Sequence, residues 1–525
     1  MDIQEIISKT QNLTIDWLTP NSADYEDSRQ ISNARFSYRP AAIAYCGDEE
    51  AVAGLFRVFG DDPPEFRIRS GGHQHEGMCT ADDVLLIDLS KMNKIDIQYN
   101  YTQRPSASIG PGCSLSDLYN TLGQRGLFFP GGGCGTVRPG GLIQGGGWGP
   151  YVRKHGMSCD SLLKAKVVLA NGKVVIASET ENEDLFWAIR GGGGGNFGVV
   201  TEYSVRLYQL PESKVSFRLH WTAAHRLDVA KAWLHLQASL RRELMSFCRI
   251  TVVPDAEKGS DEAILVGGVY LGSKPEFFEA IEPLVSQMPA PAKERYDVAH
   301  TRAWTREAES GTAHGGGMSD FLAEIVNTIQ FVDPSSLGSM ASSETFGGAG
   351  SAEVTTGRSA KAPNATCDQP HPHKVSSTFP KKGCDYNQLA EELVGYIECS
   401  EFDEEVNRYV SLHCMGGAVS DKAPEATAFP HRTQDVLLQF QAWWAGQAGG
   451  KLDSEYKTRV EGYIQWVKDF RESLSHTEGA FINFIDHDVP LEEYYGGNFD
   501  RLREVKKTYD PNNLFSFEMS IPSGD

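Results

Sequence analysis

The sequence predicts an α+β fold shared between two interwoven domains, and three observations lead there. The chain has 525 residues, more than one ordinary hydrophobic core organises. From about residue 36 to 210 it alternates short apolar runs with glycine-rich turns, the pattern of strands joined by tight loops with occasional helices. After 210 the glycine content falls and longer amphipathic segments appear, which marks a second domain.

In the first region Phe66 to Arg69 reads as a strand, and KAKVVLA and KVVIAS read as a hairpin around Asn171-Gly172, a pair suited to a type I′ turn. ENEDLFWAIR follows with acidic residues at its start and Leu185, Phe186 and Ile189 on one face, so it reads as a helix. In the second region the spacing predicts helices over 224–242 and 274–288 and strands near 263–271 and 409–419. Residues 333–373 form a Ser/Gly/Ala/Pro-rich stretch with few large apolar residues, expected to be a disordered insertion or a lid.

Composition narrows the function. A hydrophobic share of 40% and a charged share of 23% belong to a globular chain, not a fibrous or disordered one. A formal net charge of −21 repels phosphate polymers, so no nucleic-acid partner is expected. No stretch reaches membrane-spanning length, and the acidic opening MDIQEIISKTQNLTIDWL lacks a secretory pattern, so a cytoplasmic location is expected. The 10 cysteines show no CxxC pair and no zinc spacing; no metal site is predicted, and most are expected to be reduced and buried.

Three glycine clusters carry the chemistry. Strand 66–69 runs into Ser70-Gly71-Gly72-His73-Gln74-His75-Glu76-Gly77, where bare backbone amides can approach a phosphate and His73 sits where a cofactor lies. The second cluster, Phe129 to Val137, contains Gly131-Gly132-Gly133-Cys134-Gly135-Thr136 and continues from Gly140-Gly141 through Gly145-Gly146-Gly147-Trp148-Gly149; its glycines leave the Cys134 sulfur open to something docked on the backbone. The third, Gly191 to Gly195, is followed by Asn196-Phe197-Gly198-Val199-Val200. So much glycine costs conformational entropy and is tolerated where backbone presses closely on a ligand or another strand.

These motifs resemble the berberine-bridge-enzyme-like oxidases of the vanillyl-alcohol-oxidase superfamily. The tail agrees: Tyr494-Tyr495-Gly496-Gly497-Asn498 and Tyr509-Asp510-Pro511-Asn512-Asn513-Leu514-Phe515 are similar to that family's C-terminal segment. The resemblance implies a PCMH-type FAD-binding domain over 1–210 (core about 36–210), a substrate domain built on an antiparallel sheet over 211–475, and a segment 476–525 that returns to the FAD domain. It implies one FAD held by two covalent links, 8α-histidyl from His73 and 6-S-cysteinyl from Cys134. Arg69, Ser70, Gly71, Gly72, Gly77, Thr136, Val137, Gly140, Gly141, Gly145, Gly146, Gly149, Gly198, Val199, Tyr495 and Asn498 are the further expected cofactor residues.

The expected reaction is hydride transfer from a small organic substrate to the flavin, with reoxidation by O2 to hydrogen peroxide. A small residue at the Val137 position goes with oxygen access in relatives. Secondary-metabolite tailoring is favoured; the alternatives are a carbohydrate oxidase and a cyclase or isomerase without net redox change. Two departures stand out. Val137-Arg138-Pro139-Gly140-Gly141-Leu142 replaces the usual Val-Gly-x-Gly-Gly-His, and Phe484 stands where the family's catalytic tyrosine is expected, with Phe481 replacing a second tyrosine. Phenylalanine exchanges no proton, so the base must lie elsewhere. The resemblance to plant relatives points to another base position after a Gly-Gly strand, and by spacing from Phe429-Pro430-His431-Arg432 it falls near Asp421, where a carboxylate over an apolar ring would have a raised pKa; His413 and Tyr270 are weaker candidates.

Overall fold

In the computed structural model residues 2–60, 62–98, 104–254, 263–300, 370–446 and 454–524 are described. Residues 333–369 of the Ser/Gly-rich stretch lie outside them.

Three sheets position the site. The first orders Ile15–Leu18, Ala42–Cys46, Leu85–Asp88 and Phe66–Arg69, the last three mutually parallel. Leu85–Asp88 is buried at every residue, as expected of a parallel strand covered on both sides. The helix Glu49–Phe59 covers it, its N-terminus closed by the Asp48 side chain accepting from Ala51 N at 2.8 Å. Its Phe56 packs on Phe66 and on Phe515 of the tail, with ring centroids 5.5 and 5.4 Å apart.

The second sheet is antiparallel: Ile95–Gln98, Ser106–Ile109, Val199–Arg206, Leu162–Val168 and Val174–Ser178. The hairpin over 162–178 forms, but not through a type I′ turn, which needs positive φ at both central residues. Only Gly172 has it (φ +74°), while the Asn171 side chain accepts from Lys173 N at 2.9 Å. Side-chain capping of the turn takes over the role expected of Asn171's backbone.

The third sheet has eight antiparallel strands in the order Lys293–His300, Ser213–Trp221, Ile264–Tyr270, Leu244–Thr251, Val406–Cys414, Val436–Trp444, His373–Pro380 and Thr477–Glu478. Alternation along Val436–Trp444 puts Leu438, Phe440 and Trp444 on one face and Gln439, Gln441 and Trp443 on the other. The apolar face is covered by helices: Phe440 packs on Phe470 and Trp444 on Tyr463 of helix Ser454–Ser473. The expected strand near 409–419 ends at Cys414, because Gly416 and Gly417 take positive φ (+68° and +56°) and a 3-10 turn, Gly417–Asp421, follows. The helices expected over 224–242 and 274–288 are Arg226–Leu236 and Lys274–Val285.

The C-terminal segment packs back on the third glycine cluster. Lys506, fully buried, donates to Asn196 O at 2.8 Å and pairs with Asp510 at 2.7 Å, and Ile521 N donates to Asn196 Oδ1 at 2.8 Å. Among the described residues no helix is long and apolar enough to cross a membrane.

Candidate active site

One cavity of about 350 Å³, within the range of small-molecule sites, collects all three glycine clusters and the polar face of the eight-stranded sheet. Of the residues expected at the cofactor, Ser70, Gly71, Gly72, His73, Cys134, Val137, Gly140, Gly141, Gly145, Gly198, Val199 and Tyr495 line it. A Cβ on Gly141 would meet nothing within 4 Å, and one on Gly194 nothing nearer than 3.7 Å. Packing therefore does not demand glycine there; its absence of side chain leaves bare backbone facing the cavity, as a close-lying cofactor needs. The residues fit FAD in that sense.

Arg69, Gly77, Thr136, Gly146, Gly149 and Asn498 frame the cavity without lining it. Arg69, buried, pairs with Asp88 at 2.6 Å and donates to the carbonyl of Ser28, anchoring the strand that delivers the first loop. A Cβ on Gly149 would lie 2.0 Å from Gly131 O, so that glycine seats one loop on another. Asn498 donates to Pro424 O and Thr427 O, tying the tail to the loop before Phe429. Thr136, exposed, meets His73 Nε2 at 3.0 Å and orients that ring.

Cys134 is not an open thiol. Its sulfur is disulfide-bonded, and the other eight described cysteines are free, so the partner lies outside the described residues.

Asp421 is not in the cavity. It lies more than half exposed in the 3-10 turn, and Arg242 grips both carboxylate oxygens at 2.6 and 2.7 Å. The guanidinium holds its carboxyl below the ordinary range, the reverse of the raised value expected for it from the sequence. The turn at Gly416 and Gly417 carries Asp421 away from the cavity. Tyr270 is likewise outside the cavity, whereas His413 lines it.

The wall opposite the glycine loops comes from the sheet. Gln441 accepts from Tyr409 OH (3.0 Å) and Trp443 Nε1 (2.9 Å) and donates to Gln439 Oε1 (2.9 Å), which also accepts from His413 Nε2 (2.9 Å). His413 Nδ1, buried, has no partner among the described residues; burial lowers the His413 pKa to about 4, so the ring is neutral and Nδ1 is an acceptor. Arg249 lies 4.5 Å over the Tyr409 ring and lines the same wall. This surface is polar, buried and suited to a hydroxyl-bearing ligand.

Next to Phe484 sits a histidine pair. His75 Nδ1 and His373 Nε2 are 3.0 Å apart, and His373 stacks on Trp443 at 4.2 Å. His373 had been expected at the end of the Ser/Gly-rich stretch; it is instead a buried strand residue. Behind it Lys374 is buried against Glu76 (2.9 Å) and Asp486 (2.5 Å). Sequence reasoning missed His75, His373, Arg249, Gln439 and Gln441. The period-two alternation of the polar residues in VLLQFQAWW was visible, but it reads equally as a solvated face.

The chain's sequence matches two domain families, one described as FAD binding domain over residues 40–178 and one as Berberine and berberine like over 480–522. Uncharacterized FAD-linked oxidoreductase YgaK of Bacillus subtilis (strain 168) is 29% identical over 514 residues, covering 96% of each chain. Reticuline oxidase of Eschscholzia californica is 26% identical over 509 residues, covering 92% of this chain and 83% of that one. Among solved structures, a chitooligosaccharide oxidase superposes with a TM-score of 0.77 at 22% identity, over 99% of this chain and 100% of that one.

Proposed function

The chain is a berberine-bridge-enzyme-like FAD-linked oxidoreductase with a PCMH-type FAD-binding fold, and from that premise we propose that it is a cytoplasmic oxidase of a small hydroxyl-bearing compound, with its FAD along the glycine loops, bonded to His73 and Cys134. The observation that carries the reading is the meeting, in one cavity, of His73, Cys134 and three bare glycine loops with a buried polar sheet face. When bound, FAD accepts hydride from a substrate carbon and returns the electron pair to O2, giving hydrogen peroxide. Val137 at the rim leaves room for oxygen. The glycine loops hold the cofactor, and the sheet wall, through Gln439, His413 and Arg249, binds and orients the substrate.

We take the substrate to be a secondary metabolite. The polar wall also favours a second reading, an oligosaccharide oxidase, because hydroxyl-rich ligands pair with such donors and acceptors.

Acid precipitation tests the attachment: FAD is expected to stay with the denatured protein, at a mass of chain plus one FAD. A thioether and a disulfide cannot share one sulfur, so peptide mapping without reductant decides between them at Cys134. His73→Ala and Cys134→Ala are each expected to retain FAD and the double variant to lose it. Anaerobic mixing with reticuline, diacetylchitobiose and cellobiose tests the reaction; a product formed while the flavin spectrum stays unchanged would sink the oxidase reading in favour of a non-redox cyclase or isomerase.

A further inference from the structure

With phenylalanine at position 484, a base must come from other groups on the cavity wall, and the hydrogen bonds around His75 specify one. His373 Nδ1 lies 2.8 Å from the carbonyl oxygen of His371. A carbonyl only accepts, so Nδ1 carries the proton and, in the neutral ring, Nε2 carries a lone pair. His75 Nδ1, 3.0 Å away, must therefore donate to it, which leaves the lone pair of His75 on Nε2. No described residue engages that Nε2, and His75 lines the cavity with its ring 5.8 Å from Phe484.

The arrangement is built. Asn33, fully buried, donates to the carbonyls of both His75 (2.6 Å) and His373 (3.0 Å) and accepts from His373 N at 3.1 Å, so one side chain fixes both histidine backbones. Trp443 stacks on His373 from the sheet wall.

We propose that His75 is the catalytic base of the oxidation, taking the substrate's O–H proton on Nε2, and that His373 is a positioning residue that fixes the His75 tautomer. The inference rests on the oxidase reading above. The balance is that of an alcohol becoming a carbonyl compound: the O–H bond breaks with its proton going to His75 Nε2, the adjacent C–H bond breaks with its hydrogen and both electrons passing to FAD as hydride, and C=O forms. Reoxidation of the flavin by O2 supplies the oxidant.

The surroundings of His75 keep its ring unprotonated. Desolvation, with His73, Arg35 and Lys374 facing it, lowers its pKa to about 3, and the nearby carboxylates Glu76, Asp486 and Asp488 are taken up by Arg35 and Lys374. An ordinary histidine would lose its base form as pH falls through about 6.5; His75 keeps it well below that.

Two measurements on the holoenzyme decide the matter. The first needs no substrate: 15N correlation spectra of histidine-labelled protein, with the His75 signal identified by its loss in His75→Gln. The expected result is a neutral ring protonated on Nδ1 and unchanged from pH 8 to 5; an Nε2-protonated ring, or titration near 6.5, overturns the proposal. The second uses whichever of the three probe compounds bleaches the flavin. His75→Gln is expected to slow anaerobic bleaching about 100-fold or more with little change in KM, and added imidazole to restore part of the rate. His373→Gln is expected to lose less and to gain an acid limb in its pH profile, while His487→Gln, exposed and paired with Glu518, stays at the wild-type rate. Wild-type bleaching rates in His75→Gln overturn the base. If no probe bleaches the wild type, the oxidase reading is what fails the second measurement, and the spectra still decide the His75 tautomer and with it the proposal.

Discussion

The two walls of the cavity are made in opposite ways. The side proposed to hold the cofactor is backbone: Gly71–Gly72, Gly132–Gly133, Gly140–Gly141 and Gly193–Gly195, contributed by three loops within about 130 residues of sequence. The substrate side is side chain: Arg249, His373, His413, Gln439, Gln441 and Trp443, from four strands spread over nearly 200 residues. A backbone wall gives the same surface to any ligand, whereas a side-chain wall can be changed one group at a time. The difference teaches where selectivity would reside under the proposed function: the glycine loops serve the cofactor, and the sheet face is free to specify a substrate.

Substitutions on each wall sharpen that contrast. The largest effect is expected from Gly149→Val, because its Cβ would lie 2.0 Å from the Gly131 carbonyl oxygen and backbone cannot step aside. Stability should drop by about 3 kcal/mol or more, the upper end of overpacking costs; thermal unfolding and the ratio of flavin to protein absorbance measure it, and a flavin-replete, normally stable variant breaks the idea that the loops behind the backbone wall seat on one another only through glycine. Gln441→Leu removes an acceptor used by Tyr409 and Trp443 and is expected to cost about 1–3 kcal/mol in urea unfolding. FAD content should be unchanged and KM raised. Loss of flavin from this variant would mean the walls are not separate. The smallest effect belongs to Asp421→Asn, on neither wall. Its exposed pair with Arg242 is worth at most about 1 kcal/mol, and flavin bleaching should proceed at the wild-type rate; a large loss of kcat returns Asp421 to the mechanism.

The same contrast explains what was legible in the sequence. Glycine runs beside His73 and Cys134 could be read directly, since a backbone site is contiguous and its residue type is its signal. The hairpin over 162–178, the strand Phe66–Arg69 and the helix within ENEDLFWAIR follow from local patterning and are present. The sheet wall could not be read, because His373, His413 and Gln441 become neighbours only through strand register. Asp421 lies away from the cavity for a local reason: two glycines at positive φ turn the chain after Cys414. His75 stood in plain view two residues after His73, but its meaning depends on His373, almost 300 positions away.

The tail's hold on the third glycine loop also sets a clock on biogenesis. Asn196 receives its bonds from Lys506 and Ile521, 310 and 325 residues downstream. At about 5–20 residues per second of synthesis, a nascent chain waits roughly 15 to 60 s after the loop emerges before the residues that brace it exist. A cavity that includes this braced loop is therefore complete only after translation has delivered the last segment.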